Sequence, residues 1–259
     1  MITTEEWKNK KSDFSKKIKV IGGFTDKRKS EFFNGMNHIR IHKGFYDATD
    51  GYKLIRFKQD PESVIKTGWM DHNGNYLDIN SSAYPDFNRV LFDHGYAYHK
   101  GYATKKEIKE LLTFINRSIE HLEYLKKQKQ DPLNKYHSKS IKFYSDRIKP
   151  FYNVNRIKYQ ESYKGRKKTY KEVVDSCYND YINQDYKITG DYSPFKGIIE
   201  GLQGKSFKLD LLKEVLKACM ISEDNKFCFF SKTSDANSPI MVQSESEDVT
   251  MLLMPMKIM

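Results

Sequence analysis

The side chains that could carry out catalysis are scattered along the chain. His38 and His42 are four residues apart in a predicted strand, where they would share a face with no carboxylate pattern beside them. Asp47 and Asp50 flank a predicted turn, where aspartate is favoured for backbone hydrogen bonding alone. The sequence contains no glycine-rich phosphate loop, GxSxG elbow or HExxH motif. We therefore predict a protein that is not an enzyme and that has no metal site and no cofactor.

Cysteine content and hydropathy predict the cellular compartment. Cys177, Cys219 and Cys228 are odd in number and lack a CxxC spacing, so neither disulfides nor a zinc knuckle is expected. No run approaches eighteen apolar residues, and the first fourteen residues lack the apolar stretch of a signal peptide. We expect a cytoplasmic protein without a membrane partner.

The charge distribution favours a polyanionic partner. The net charge of +11 indicates nucleic acid first and acidic lipid second. Between Lys126 and Lys171, 15 lysines and arginines stand against Asp131, Asp146 and Glu161, so this stretch carries the excess. Two interpretations fit it: a solvated, poorly packed insertion, or a surface that contacts DNA phosphates.

The last nine residues, "MLLMPMKIM", are the most apolar stretch of a basic chain. A strand of leucine and methionine suits a peptide-binding groove, because methionine is flexible and can repack around different ligands. The same composition also suits an ordinary buried strand. Both interpretations remain open at this point.

Helices, hairpins and a linker must position these residues. Apolar spacing predicts a helix over 4–17. Asp50-Gly51 and Asn73-Gly74 each separate two β-rich runs and predict hairpin turns. "YPDFNRVLFDHG" indicates an exit strand and linker, since proline cannot sit in a central strand.

The second half begins with a capped helix. Thr104 and Glu107 form a capping box ahead of an apolar stripe that runs towards Pro132. Residues 133–200 have no clear period. "FKLDLLKEVLKAC" predicts a short helix, and "KFCFFS", "SPIMVQS" and "VTMLLMPMKI" predict three closing strands.

Three separated stretches resemble one family, the bacterial β sliding clamp, which is the processivity ring of the replicative DNA polymerase. "FFNGMNHIRIHKGFYDATDGYKL" resembles the L-N-G-M strand and A-T-D-G-x-R-L hairpin of its second domain. "YPDFNRVL" is similar to the F-P-D-Y-x-R-V-L segment between the second and third domains. The run from "FKLDLLKEVLKAC" to "MLLMPMKI" resembles the end of the third domain. The match covers residues 1–57, 78–92 and 205–258.

The resemblance implies an α+β, DNA-clamp fold with two clamp-like domains. Residues 1–95 would correspond to the second domain with a truncated second half. Residues 96–259 would correspond to the third domain, with an insertion of helices and basic loops at about 118–200. Because the family closes its ring from two three-domain chains, a two-domain chain would need a homo-oligomer of three to close one.

The resemblance also implies a hydrophobic pocket between the two domains that captures short peptide motifs, with Leu252 and Leu253 anchoring its last strand. The implied pocket residues are Phe33, Thr49, Gly51, Tyr52, Lys53, Leu54, Pro85, Arg89, Val90, Leu211, Pro239, Leu252, Leu253, Met254, Pro255, Met256 and Lys257, with Asn237 nearby. Basic helices line the ring in this family, and the expected DNA-binding residues are Lys8, Lys10, Lys11, Lys16 and Lys17, joined by Arg166, Lys167 and Lys168 of the basic stretch.

Three functions follow from these patterns. The first is a sliding clamp-like replication factor that binds double-stranded DNA without sequence specificity and recruits DNA polymerase, the clamp loader or other proteins with clamp-binding motifs. The second is an adaptor or decoy that keeps the pocket but forms no ring. The third is a general DNA-binding protein that uses its basic central region.

Overall fold

The structure is a computed structural model. It describes residues 4–26, 35–59, 67–78, 84–92, 97–128, 137–143, 148–154, 161–163, 166–168 and 196–256. Phe33 and Lys257 of the predicted pocket lie outside these residues.

The described residues combine helices with antiparallel sheets, which confirms the α+β class. The helices are α1 (Thr4–Gly22), α2 (Lys105–Gln128), α3 (Lys196–Leu202) and α4 (Leu209–Ile221). The strands are β1 (Ile39–His42), β2 (Phe45–Thr49), β3 (Lys53–Lys58), β4 (Gly68–Met70), β5 (Tyr76–Leu77), β6 (His99–Thr104), β7 (His137–Phe143), β8 (Ile148–Val154), β9 (Glu161–Tyr163), β10 (Arg166–Lys168), β11 (Ser206–Lys208), β12 (Lys226–Ser231), β13 (Ile240–Ser244) and β14 (Val249–Leu253). The first helix is longer than the predicted 4–17, and both predicted hairpins are present.

Nine strands form one sheet in the order β5-β4-β1-β2-β3-β14-β13-β12-β6. The two halves of the chain meet where β3 pairs antiparallel with β14, from Lys53 opposite Leu253 to Phe57 opposite Val249. The hairpin turn before β3 uses Gly51 at φ +86°, a conformation that glycine adopts without steric cost. The last strand of the chain therefore joins the two halves through backbone hydrogen bonds.

The helices cover one face of this sheet and enclose the main core. Ile55 of β3, Met251 of β14 and Val242 of β13 point towards the helices and are fully buried. On α4, the apolar residues at helical spacing are buried: Leu209, Leu212, Val215, Leu216 and Cys219. Because side chains alternate along a strand, every second residue of β3, β14, β13 and β12 lies on the opposite face, called here the outer face.

Two segments differ from the sequence-based predictions. Residues 84–92 hold a single 3-10 turn, Phe87–Arg89, where an exit strand was expected, because the Asp86 side chain accepts a bond from the Asn88 N–H and closes the turn. In the region expected to hold helices and basic loops, the part that the structure describes also contains β7 to β10. β11, β7 and β8 form a three-stranded sheet, and β9 and β10 pair as a hairpin.

The capping box at the start of α2 is present, and it predicts a stability effect. Glu107 Oε2 accepts bonds from Thr104 N at 2.6 Å and Thr104 Oγ1 at 2.8 Å, so two polar groups at the helix start are satisfied together. We expect Thr104→Ala to lower the free energy of unfolding by about 1 kcal/mol in urea titration. Thr113→Ala is the control: the Thr113 hydroxyl bonds only the Lys109 carbonyl within the helix, so alanine there should stabilise by a few tenths of a kcal/mol. Equal effects of the two changes would contradict a capping role.

Candidate functional site

Four apolar side chains form a row across the outer face. Leu54 pairs with Leu252, Leu252 with Met241, and Met241 with Phe230, so the row crosses β3, β14, β13 and β12 in register. With Phe87, these residues make a second hydrophobic cluster, named here the outer cluster, and each is at most 7% exposed. The outer cluster is separate from the core beneath the helices and lies where the two halves of the chain meet.

The β2–β3 turn borders the outer cluster on one side. Asp50 Oδ1 accepts bonds from Tyr52 N at 2.8 Å and Lys53 N at 2.9 Å, while Thr49 Oγ1 donates to Lys53 O at 2.8 Å. These bonds fix the turn, because the Thr49 hydroxyl and the Asp50 carboxylate bond the backbone groups of Tyr52 and Lys53 within it. Tyr52, in the turn directly before β3 and two residues before Leu54, is 57% exposed.

The chain after β14 lies between the two sheets. Met254 N donates to Tyr52 O at 2.8 Å, and Met256 N donates to Ser206 O at 2.6 Å. Pro255, between them, has no N–H to satisfy. This arrangement holds the tail backbone while Met254, two residues after Leu252, keeps 36% of its surface exposed.

Residues 84–92, named here the linking segment, cover the rest of the outer cluster. Tyr84 Oη donates to the Asp47 carbonyl at 2.9 Å, and Phe87 is only 2% exposed. The Phe92 ring packs edge-on against Phe230 with a centroid distance of 5.6 Å. Val90, three residues after Phe87, is 46% exposed. The linking segment thus contributes both cover for the cluster and an exposed apolar side chain beside it.

An arginine–aspartate pair attaches the linking segment to the sheet. Arg56 donates from Nε to Asp47 Oδ1 at 2.9 Å and from a terminal nitrogen to Asp47 Oδ2 at 3.1 Å. A second terminal nitrogen reaches Asn88 Oδ1 at 2.8 Å, and the guanidinium lies 5.6 Å from the Phe87 ring centroid. Burial raises the pKa of the Asp47 carboxyl, and the Arg56 hydrogen bond and charge oppose that rise. Arg56 therefore compensates a buried carboxylate and packs on the linking segment at once.

Some predicted pocket residues face the helices instead. Lys53 is 4% exposed, and its Nζ donates to Gly23 O at 2.7 Å and to the Glu214 carboxylate of α4. Leu253 is fully buried in the main core, and Leu211 packs partly buried against it. Lys53 and Leu253 can border the outer face only through their backbone. The Lys53 side chain ties the hairpin turn to the helix layer.

The predicted pocket residues lie on several elements, and the pocket itself stays a prediction. Leu54 and Leu252 belong to the outer cluster, Thr49 pairs with Leu54, and Met254 bonds to Tyr52. The others are Gly51 in the β2–β3 turn, Pro85, Arg89 and Val90 in the linking segment, and Pro255 and Met256 in the tail. Pro239 directly precedes β13, and Asn237 is exposed in the loop before it, bonded to Asp235. The motifs did not identify Phe230, Met241, Phe87 or Arg56 as members of the site. Strand alternation could have indicated Phe230 and Met241 once the pairing of β12, β13 and β14 was assumed.

The predicted DNA-binding residues lie on two different elements. Lys8, Lys10, Lys11, Lys16 and Lys17 belong to α1, and Arg166, Lys167 and Lys168 form β10. Lys16 is exposed and lies 3.1 Å from Asp13, whereas Lys17 is half-buried, 5.5 Å from the Phe57 ring centroid. Further exposed basic side chains on the helix layer are Lys19, Lys106, Lys109, Arg117 and Lys217. The helix layer therefore presents positive charge from three helices.

Two other kinds of site are absent from the described ranges. Among those residues, no three His, Cys, Asp or Glu side chains are arranged to hold a metal ion. No helix in the same part of the chain is long and apolar enough to cross a membrane.

Comparison with known proteins identifies the fold. No family model and no curated protein sequence matches the chain. The DNA polymerase sliding clamp of Bacillus subtilis matches 96% of this chain and 63% of its own length, with a TM-score of 0.53 and 11% identity. The β sliding clamp of C. crescentus, crystallised with polyethylene glycol bound to a proposed β-motif tethering region, matches 94% and 64%, with a TM-score of 0.51 and 12% identity. A DNA polymerase III beta subunit from Eubacterium rectale matches 95% and 64%, with a TM-score of 0.51 and 9% identity.

The chain has the bacterial sliding-clamp fold, which confirms the predicted resemblance at the level of structure. It spans slightly less than two thirds of the length of these clamps.

Proposed function

We propose that this protein is a non-enzymatic, clamp-like replication factor that acts in the cytoplasm and docks partner peptides on the outer face at the junction of its two halves. One observation carries the proposal. Tyr52, Val90 and Met254 are exposed, and each follows or precedes by two or three residues a member of the outer cluster: Leu54, Phe87 or Leu252. The three exposed residues are named here the docking rim. The resemblance implies that partners are DNA polymerase, a clamp loader or other proteins that carry clamp-binding motifs.

The exposure of the docking rim supports a binding role. Among the described residues, six large apolar side chains are strongly exposed: Tyr52, Tyr76, Val90, Tyr98, Tyr102 and Met254. Tyr52 and Met254 adjoin, since Met254 N bonds to Tyr52 O, and Val90 lies in the segment that covers the outer cluster. Clustered exposed apolar side chains mark interaction sites. Tyrosine offers a large contact area at low entropy cost, and methionine adapts its shape to different ligands. Exposed Arg89 and Pro85 add a polar and rigid border that suits an extended peptide.

The helix layer supports a second part of the proposal, which is contact with double-stranded DNA. Exposed lysines and arginines on α1, α2 and α4 would contact phosphates, and such contacts carry no sequence information. The docking rim and the helix layer lie on opposite faces of the sheet. DNA and a partner peptide could therefore bind the protein together without competing for the same surface.

The proposal includes a ring formed by three chains. In each chain, residues 1–95 and 96–259 would be the two clamp-like domains, and the resemblance implies six such domains in a closed ring. We expect light scattering to give a mass about three times the 30.6 kDa of one chain. After incubation with nicked circular DNA, we expect protein to stay on the circle in high salt and to leave when the circle is cut, because only a topological link resists charge screening. A strict monomer that is released from both DNA forms alike by salt would contradict the ring.

The same experiment separates the alternatives. An adaptor or decoy would bind peptides as a monomer and would not stay on the circle. A general DNA-binding protein would bind circular and linear DNA equally, with a steep salt dependence, and would have no affinity for peptides at the docking rim.

A further inference from the structure

Lys205, between α3 and β11, is a buried lysine with no role in the site described so far. Its side chain is 1% exposed, and its Nζ donates to the Asp235 carbonyl at 2.5 Å and to the Ser238 hydroxyl at 2.8 Å. Burying a charged group is unfavourable unless hydrogen bonds replace its contacts with water. Both bonds reach the same loop, residues 233–238 between β12 and β13, so the lysine fastens this loop to the chain before β11.

The 233–238 loop is also closed by bonds of its own. Asp235 N donates to Thr233 Oγ1 at 3.3 Å, and Ser238 N donates to Asp235 O at 3.0 Å. Asp235 Oδ1 accepts bonds from Asn237 N at 2.9 Å and from the Asn237 side-chain nitrogen at 3.2 Å. The loop therefore has a defined shape, in which the exposed side chains of Asp235 and Asn237 form its crest.

The loop leads directly into the strand beside the docking tail. Ile240 of β13 pairs with Leu253 of β14, so the preceding Pro239 and the following Met254 adjoin at the end of this ladder. Pro239 is half-buried, and Met254 belongs to the docking rim. Because opposed residues on neighbouring strands have Cβ atoms about 5 Å apart, the loop begins about one side chain away from the docking rim.

The crest of the loop offers hydrogen-bond acceptors. A carboxylate and a side-chain amide have more acceptor positions than the two bonds between Asp235 and Asn237 use. A ligand that donates hydrogen bonds to the Asp235 carboxylate would form charge-assisted bonds, whereas an acidic ligand would meet a like charge. The crest therefore favours donors over carboxylates.

We propose that Lys205 is a positioning residue that holds the 233–238 loop as a wall beside the docking rim, and that this wall selects peptides with hydrogen-bond donors next to their apolar anchor. The inference rests on the proposed function and specifies its partner class. A loop that is already fixed need not be ordered on binding, so more of its contact energy appears as affinity. Lys205 acts only through the loop, because its own side chain is buried.

Lys232 offers the opposite chemistry on the other side of Pro239. Ser231 pairs with Ile240, so Lys232 adjoins Pro239, and its side chain is exposed. An ammonium group there would favour a peptide with acidic flanks. The crest is the better candidate because bonds within the loop hold its oxygens in place, whereas a lysine ammonium lies at the end of a flexible stem.

The test compares two labelled synthetic peptides with the same apolar anchor of leucine and phenylalanine. One probe has glutamine on both sides of the anchor, and the other has glutamate, which has a similar shape but only accepts hydrogen bonds. We expect the full chain to bind the Gln probe about tenfold more tightly than the Glu probe at about 0.1 M salt, measured by fluorescence anisotropy. Lys205→Met should reduce this difference to under about twofold, because methionine keeps the apolar stem and lacks the ammonium group that holds the loop.

Hydrogen exchange separates positioning from stability. In Lys205→Met, the backbone N–H groups of the 233–238 loop should exchange about tenfold faster while those of α4 keep their protection, and saturating Gln probe should slow the loop again. Ile108→Val is the control, because it removes a methyl group from the main core far along the chain from the loop. This control should lower the stability and leave both the loop exchange and the preference for the Gln probe unchanged.

Several results would overturn the inference. Unchanged exchange of the loop in Lys205→Met would show that the lysine does not hold it, and a Gln preference that survives faster exchange would show that the fixed loop does not select the peptide. Equal binding of the two probes would remove the selection, and tighter binding of the Glu probe would assign the flank to Lys232; both leave the docking rim intact. Failure of both probes to bind would overturn the proposed docking function as well.

Discussion

Replacing Tyr52 and Met254 together with serine is expected to weaken binding of a labelled peptide probe with a leucine and phenylalanine anchor about a hundredfold, or about 2.7 kcal/mol. The reason is loss of contact area at two of the three exposed members of the docking rim. The fold should survive, because Met254 N bonds to the Tyr52 carbonyl and neither group belongs to a side chain. Fluorescence anisotropy of the labelled probe measures the effect.

Tyr98→Ser with Tyr102→Ser is the control for this prediction. Both tyrosines are more than half exposed, and they lie at the far edge of the sheet on β6 or just before it. Their removal deletes a similar exposed apolar area and should leave the probe affinity within twofold. A similar loss of affinity in the two double variants would mean that the peptide does not bind at the docking rim. Leu253→Ala would not be informative, since Leu253 is buried towards the helices and its truncation tests the core.

Local sequence patterns predicted much of the fold because their causes are local. The Asp50-Gly51 turn needs the positive φ of Gly51 and the side chains of Thr49 and Asp50, so it could be predicted from adjacent residues. The capping box of Thr104 and Glu107 is equally local. Leucine and methionine at the end of the chain left core and groove both open. Leu253 faces the core and Met254 is exposed, and the groove stays a prediction.

The rest of the site depends on pairing between distant segments. Phe230 and Met241 join the outer cluster only because β12, β13 and β14 pair in one register, which no local pattern specifies. Lys53 is a charged residue on the main-core face of the sheet. Its ammonium group forms an ion pair with Glu214 of α4, which lies far along the chain. The strands β7 and β8 were missed because their lysines and serines interrupt the apolar alternation by which strands are recognised.

Arg56→Met is expected to lower the free energy of unfolding by about 3 kcal/mol at pH 7. Asp47 is 1% exposed and Arg56 makes two hydrogen bonds to its carboxylate, so the substitution leaves a buried charge without its main partner. Lys58→Met is the control in the same strand. Its ion pair with Asp248 is long, at 3.5 Å, and both side chains are largely exposed, so the cost should be under about 1 kcal/mol.

The pH dependence distinguishes this mechanism from a simple packing loss. Burial already raises the pKa of Asp47. Removing Arg56 raises that pKa further, because the Arg56 charge and hydrogen bond that lowered it are lost. When a carboxyl has a higher pKa in the folded state than in the unfolded state, the protein loses stability as pH rises above the unfolded pKa. It regains that stability on acidification. The deficit of Arg56→Met should therefore shrink from pH 7 towards pH 5.

Adding Asp47→Asn to Arg56→Met removes the buried charge and should recover part of the lost stability at pH 7, with no further gain on acidification. The double variant still lacks the contacts of Arg56 with Asn88 and the Phe87 ring, so the linking segment should remain loosened. Peptide affinity should then stay below that of the parent protein although stability recovers. A pH-independent deficit, or full recovery of peptide binding in the double variant, would show that Arg56 does not hold the linking segment against the outer cluster.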